Sequence, residues 1–153
     1  MRARVLGGVA AGALIVAFAG VGTAQPPAPA PWATACSARL EQTRVELART
    51  VPWAARASVG IQPTTWPGWF VHYASDDGRV SAMIETYATG PGPGWLPAGR
   101  GECFDESEPG PQLHEVRNYD GRQAQVEVTR APRRQRALIG AALRAALDDC
   151  AAL

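Results

Sequence analysis

Two Asp-Gly dipeptides constrain the fold of this chain more than any other feature of its sequence. Asp77-Gly78 and Asp120-Gly121 each lie between two short runs in which apolar and polar residues alternate. Such a dipeptide is typical of a two-residue turn between antiparallel strands, because both turn positions take a positive φ that Gly and Asp tolerate. The sequence therefore predicts two β-hairpins.

The first hairpin has one favoured register, and the second has two. A two-residue turn at Asp77-Gly78 gathers apolar residues on one face, namely Trp69, Val71, Tyr73, Val80, Ala82 and Ile84. In the second hairpin a two-residue turn groups Leu113 with Ala124, Val126 and Val128, whereas a three-residue loop would place Val116 on that face instead. In either register, alternate residues of the last strand face the core.

Amphipathic helices are predicted before and after the hairpins. The first has one buried stripe, formed by Cys36, Leu40, Thr43, Leu47 and Val51, and it ends at Pro52. A second short helix is expected through residues 53–57. The last helix starts near Pro132, and its stripe consists of Ile139, Leu143, Ala146, Leu147 and Cys150. The predicted fold is α+β, with a four-stranded antiparallel sheet of two hairpins and both terminal helices packed on one face.

The N-terminal segment has the composition of a secretory signal. Arg2 and Arg4 precede an uncharged run over 5–22, and Gly22-Thr23-Ala24 offers the small residues that a signal peptidase recognises. We expect cleavage after Ala24. The alternative is an uncleaved single-pass anchor, since about 18 apolar residues are close to the minimum for a membrane span. In both cases the remainder is exported, so the protein is predicted to be secreted, periplasmic or held in the cell envelope.

The exported part is predicted to be one domain. Residues 25–35 are a Pro-rich spacer, and residues 36–153 form a single small α+β domain. Removal of residues 1–24 leaves a formal net charge of −1, which provides no attraction for nucleic acid. Every basic residue is Arg, and with the abundant Ala, Gly and Pro this is typical of a high-GC bacterial genome. Membrane contact is expected only if the N-terminal segment is retained.

The three cysteines are Cys36, Cys103 and Cys150. The last helix begins where the fourth strand ends, so it carries Cys150 across the sheet, about 28 Å from the start of the helix and away from Cys103. We therefore predict a Cys36–Cys150 disulfide. A bridge between Cys103 and Cys36, or to another molecule, is the alternative. The acidic residues beside Cys103 disfavour a nucleophilic thiolate.

Aromatic loops and an Arg cluster are the candidate binding residues. Trp66 and Trp69 enter the first hairpin and Trp95 follows it, in loops rich in Pro and Gly, so these three residues are predicted to contact a partner. Packing of the same indoles into the core is the alternative. Arg133 and Arg134 lie in the first turn of the last helix, where they suit an anionic partner or pair with the acidic segment 102–108.

Two His–carboxylate pairs are the candidates for catalysis. His72 and Glu85 are diagonal neighbours in the first hairpin, and His114 faces Glu127 in the two-residue register of the second. No hydroxyl, thiol or third ligand follows at a spacing that would complete a catalytic or metal site. We therefore interpret both pairs as cross-strand surface pairs and predict no catalytic residue, metal or cofactor.

The sequence favours a non-catalytic binding module, such as an inhibitor or adaptor, that works in the envelope or outside the cell. Its partner would be a protein or a cell-envelope polymer. Two other hypotheses are a small hydrolase that uses a His–carboxylate pair and a structural envelope protein. The absence of a nucleophile or metal motif favours binding over hydrolysis.

Overall fold

The computed structural model describes residues 27–65, 67–98 and 112–153. Two helices flank six strands. In chain order the elements are α1 (Pro31–Ala48), β1 (Ala57–Pro63), β2 (Trp69–Ser75), β3 (Val80–Thr86), β4 (Leu96–Pro97), β5 (Leu113–Tyr119), β6 (Arg122–Val128) and α2 (Arg133–Ala151).

The fold is α+β as predicted, but its sheet has six strands rather than four. The strand order is β1-β2-β3-β6-β5-β4, and every neighbouring pair is antiparallel. The two additional strands lie at the two edges of the sheet. The short helix expected over 53–57 is wrong, because residues 53–56 form a turn and β1 begins at Ala57. β4 contributes two residues beside β5.

The second hairpin has a two-residue turn at Asp120-Gly121, whereas four residues, 76–79, join β2 to β3, and the Gly78 amide donates to the Ser75 carbonyl at 3.0 Å. Tyr73 pairs with Ala82 in the first hairpin, as the sequence predicts. In the second, Leu113 pairs with Val128, so the alternative with a three-residue loop is wrong. Gly78 and Gly121 adopt φ values of 69° and 70°, in the left-handed region, but Asp77 and Asp120 do not have a positive φ, so the expectation of a positive φ at both turn positions holds for the glycines alone.

The two hairpins join through their second strands, which places their turns at opposite ends of the sheet. Val80, just after the first turn, pairs with Val128, whereas Thr86 pairs with Arg122, just after the second turn. We call these ends the Gly78 end and the Gly121 end. A four-stranded sheet with the hairpins joined in chain order, as expected from the sequence, would instead have placed both turns at one end.

Both helices lie on one face of the sheet, as predicted. α1 begins at Pro31, so residues 31–35 of the predicted spacer are helical. Its N-terminal part and the C-terminal part of α2 meet at the Gly121 end, where Cys36 and Cys150 form the predicted disulfide with a Cα–Cα distance of 4.8 Å. At the same end, the guanidinium of Arg122 in β6 donates to the Cys150 carbonyl at 3.0 Å and so joins β6 to the end of α2.

The core lies between the sheet and the helices. Its largest fully buried side chains are Tyr73, Leu40, Leu47, Ile84, Ile139, Leu143 and Leu147. The opposite face of the sheet, which we call the open face, is not covered by any element of the described residues. No helix within residues 27–65, 67–98 and 112–153 is long and apolar enough to cross a membrane.

Candidate functional site

A groove at the Gly121 end is lined by two tryptophans and three prolines. Its volume is about 480 Å³. We call it the Trp groove. It is lined by the start of α1, the β1–β2 loop and the end of β3, and the lining residues are Pro27, Ala28, Trp32, Pro63, Thr64, Pro67, Gly68, Trp69 and Thr86.

One wall of the Trp groove is the short connection between β1 and β2. The amide of Thr64 donates to the carbonyl of Gly68 at 3.1 Å, which closes the loop, and the amide of Trp69 donates to the hydroxyl of Thr86 at 3.1 Å. Gly68 is required here, because a Cβ at this position would lie 2.6 Å from the Cβ of Thr86. These contacts fix the position of Trp69, which is the first residue of β2.

The other wall is Trp32, the second residue of α1. The guanidinium of Arg122 lies over the Trp32 ring at 4.3 Å from its centroid, a cation–π contact. Arg122 is itself held by α2, because it donates to the carbonyls of Cys150 and Ala151 at 3.0 and 3.3 Å. Trp32 is therefore positioned from both helices, and the disulfide joins those helices a few residues away.

The lining of the Trp groove suits an apolar ligand. Both indoles are half-buried and pack against the core, and three prolines lie beside them. Among the described residues, the polar side chains of the lining are Thr64 and Thr86, and Thr86 already accepts the Trp69 amide. Such a surface can stack on an extended, apolar chain but offers few groups that could pair with sugar hydroxyls.

The predicted binding residues are distributed over three places. Trp69 lines the Trp groove, and Trp66 lies outside the described residues. Arg133 and Arg134 are exposed at the Gly78 end, about 20 Å away, the length of a seven-residue strand. The structure therefore does not bring Trp69 and the two arginines together in one site.

Trp95 packs between the sheet and α2, away from the Trp groove. Its indole N–H donates to the Asp148 carboxylate at 3.0 Å, and Arg117 donates to the same oxygen at 2.9 Å. The Tyr119 hydroxyl is the third donor to that oxygen. Burial and the neighbouring Asp148 carboxylate raise the pKa of Tyr119. This arrangement holds β4 and β5 against the helix.

Sequence reasoning missed Trp32, Pro27, Pro63 and Pro67 as members of one site. Trp32 was assigned to the spacer because the segment around it is rich in Pro and Ala. A signal was nevertheless present, since a lone Trp inside a Pro-rich segment has no role as a spacer residue. Pro27 precedes α1 whereas Pro63 and Pro67 follow it, so these prolines come close only because α1 packs against the sheet.

A smaller cavity of about 210 Å³ lies at the Gly78 end, lined by Trp53, Arg56, Asp76, Asp77 and Arg79. Two of its charged side chains, Arg79 and Asp77, pair with each other at 2.7 Å. Arg79 also lies 3.8 Å from the centroid of the Trp53 ring, and the Trp53 indole donates to Gln135 at 3.0 Å. Hydrogen bonds from Arg79 and Ser75 lower the pKa of Asp77 against the opposing effect of burial. Trp53, Asp77 and Arg79 are therefore held by contacts within the domain.

The His114–Glu127 pair forms on the open face, in one cross-strand row with a serine. His114 pairs with Glu127, and Glu127 pairs with Ser81 on its other side. Burial lowers the pKa of His114, although Glu127 opposes that shift. The carboxylate occupies the middle of this row, so the imidazole lies two strands, about 10 Å, from the hydroxyl. A base that activates a serine must contact it, so this order does not make a Ser-His-acid triad.

His72 is packed as a structural residue on the same face. Its ring stacks on Phe70 with centroids 5.3 Å apart, and it covers Gly60, where a Cβ would lie 2.5 Å from the imidazole Cε1. The buried Nδ1 of His72 has no hydrogen-bond partner in the described part of the chain. His72 and His114 lie on β2 and β5, which are separated by two strands, so they cannot act on one substrate atom.

Metal binding finds no support in the part of the chain that the structure describes, where no group of three His, Cys, Asp or Glu side chains could hold an ion. Cys103 and the acidic segment 102–108 lie outside the described residues. Comparison of the chain with family models, curated proteins and solved structures finds no match.

Proposed function

We propose that this protein is an exported, disulfide-bonded binding domain that captures an extended, proline-rich or apolar segment of a partner protein in the Trp groove. One observation carries the proposal: Trp32 and Trp69 lie in one groove with Pro27, Pro63 and Pro67. Domains that bind polyproline II segments use grooves lined by aromatic residues, because the preformed ligand loses little entropy when it stacks there.

The polarity of the groove favours a peptide over an envelope polysaccharide. Sugar binding requires several hydrogen-bonding side chains, since each buried hydroxyl that loses water needs a new partner. The described lining offers two threonines and no carboxylate or amide side chain. A proline-rich peptide has few donors to satisfy, so this lining matches it.

Export is supported by the N-terminal sequence and by the disulfide. Residues 1–24 have the charged start, apolar run and small residues of a cleaved signal, and Cys36 and Cys150 are bonded. We expect mass spectrometry of the secreted protein to find Gln25 as its first residue. Recovery of the full-length chain from membranes alone would support the anchor instead.

The ligand class is tested by titrating the secreted protein with a synthetic oligoproline peptide while tryptophan fluorescence is recorded. A Gly-Ser peptide of the same length is the control, because it is equally long but does not adopt polyproline II. We expect a saturable change with oligoproline alone. An equal response to both peptides, or saturation only with envelope oligosaccharides, would contradict the proposed ligand.

A further inference from the structure

Strand β1 lies at one edge of the sheet, and no other described strand pairs with its outer side. In the described part of the chain, β1 pairs with β2 alone, and its seven residues carry no charged side chain. Natural sheets usually protect such an edge with Lys, bulges, very short strands or a covering loop, because free N–H and C=O groups recruit another strand. The opposite edge, β4, is only two residues long and contains Pro97.

The hydrogen bonds at the two ends of β1 show which backbone groups face outward. The Asp76 amide donates to the Arg56 carbonyl at 2.8 Å, and the Thr64 amide donates to the Gly68 carbonyl at 3.1 Å. Backbone groups alternate in direction along an antiparallel strand, so the even-numbered residues between these points face β2. The N–H and C=O groups of Ala57, Val59 and Ile61 therefore face away from the sheet.

These three residues form a self-complementary set. In an antiparallel pair of two β1 strands centred on Val59, Val59 lies opposite itself and Ala57 lies opposite Ile61, so all six outward groups find partners. Pro63, which has no N–H, falls outside the paired stretch. Arg56 faces Gln62 of the second copy rather than another Arg, so no like charges oppose each other across the axis.

We propose that two copies of this chain associate through β1, with Val59 on the two-fold axis, to form a continuous twelve-stranded sheet. A two-fold axis perpendicular to the sheet keeps the helices of both copies on one face and the open faces on the other. The side chains of Ala57, Val59 and Ile61 are partly buried against the core on the helix side, so the second copy covers their remaining apolar surface as well as backbone. The contact is a single strand pair, so we expect a weak dimer.

Sedimentation velocity of the secreted protein, from about 1 to 500 μM, tests this association. Val59→Lys places two like charges opposite each other on the axis and is expected to give a monomer throughout. The matched control is Ser58→Lys, which adds the same charge to the same strand opposite Gly60 and should dimerise like the unmodified protein. An equimolar mixture of the Val59→Lys and Val59→Glu variants should recover the dimer.

A cysteine variant checks the register independently of these charges. In a Cys103→Ser background, Val59→Cys should form a covalent dimer under mild oxidation, because residues opposite each other in a hydrogen-bonded pair have Cα atoms about 5.5 Å apart, within disulfide range. Ser58→Cys should not. A monomer at all concentrations, an equal effect of the two Lys variants, or equal crosslinking at positions 58 and 59 would each overturn the proposal.

Discussion

The indole N–H of Trp95 donates to the carboxylate of Asp148 at 3.0 Å, although 53 residues separate them. The same oxygen accepts from Arg117 and Tyr119, so one side chain of α2 holds two neighbouring strands. The sequence presented Trp95 as a loop residue available to a partner. Its indole polar group is instead satisfied inside the domain.

Asp148→Ala should lower the free energy of unfolding by about 1 to 3 kcal/mol, because three donors lose one shared charged acceptor. Urea denaturation followed by tryptophan fluorescence measures the loss. The control is Asp149→Ala at the next position, which breaks only the ion pair with Arg39 and should cost at most about 1 kcal/mol. Equal effects of the two substitutions would show that the shared acceptor has no special role.

The disulfide should be the largest single covalent contribution to stability. It joins residues separated by 114 positions, and the loss of such a closed loop costs about 4 to 5 kcal/mol in the chain-entropy model. Cys36→Ala with Cys150→Ala should therefore lower the urea midpoint strongly. Peptide mapping under non-reducing conditions that places Cys103 in the bridge would contradict the structure.

The sequence predicted the disulfide correctly although it predicted the strand order incorrectly. α2 starts where the last strand ends and crosses the sheet, and this places Cys150 beside Cys36 whether or not β6 pairs with β3. β3 and β6 are far apart in the sequence, so no local pattern indicates that they pair. The alternation in each hairpin defines its own register, but it is equally compatible with either way of joining the two hairpins.

The missed strand β1 did carry a signal. Val59 and Ile61 alternate with Ser58, Gly60 and Gln62, but the preceding Trp-Ala-Ala-Arg stretch suggested a helix and Gly60 suggested its end. β4 is only two residues long and contains Pro97, so it is too short to show the alternation of apolar and polar residues by which strands are predicted. The Trp groove was only partly predictable, because it forms where β1 and β2 bring distant prolines beside the first turn of α1.

Gly60→Ala should destabilise the domain by about 1 to 3 kcal/mol, because its methyl group would overlap the His72 ring. Thermal denaturation measures this cost. In a His72→Ala background the same substitution should cost little, since the overlapping ring is gone. If Gly60→Ala is equally costly in both backgrounds, the cause lies in the backbone of β1 and not in His72.

Stability should also fall at alkaline pH because of Tyr73. Burial raises the pKa of Tyr73 to about 12, and its hydroxyl donates to the Ala54 carbonyl at 2.5 Å. An unfolded tyrosine ionises near pH 10, so this contribution is complete below pH 10 and is lost as the pH rises from about 10 to 12.

The alkaline experiment is simple because the chain contains no Lys, whose titration would overlap that of tyrosine. Urea midpoints at pH 9 and pH 11 are compared for the unmodified protein and for Tyr73→Phe. The variant should be less stable at pH 9 and should lose less stability between the two values. Identical pH dependence of both proteins would assign the effect to other tyrosines.

Ligand binding in the Trp groove is tested most directly by calorimetric titration of groove variants with oligoproline. We expect Trp32→Ala with Trp69→Ala to weaken binding by at least about 30-fold, since a central Trp often contributes 2 kcal/mol or more. Pro67→Glu, at an exposed lining position, should also weaken binding without truncating a packed indole. Trp53→Ala, which removes a half-buried indole at the Gly78 end, should leave affinity unchanged. Unchanged affinity in the folded groove variants, or an equal loss in Trp53→Ala, would contradict binding in the Trp groove.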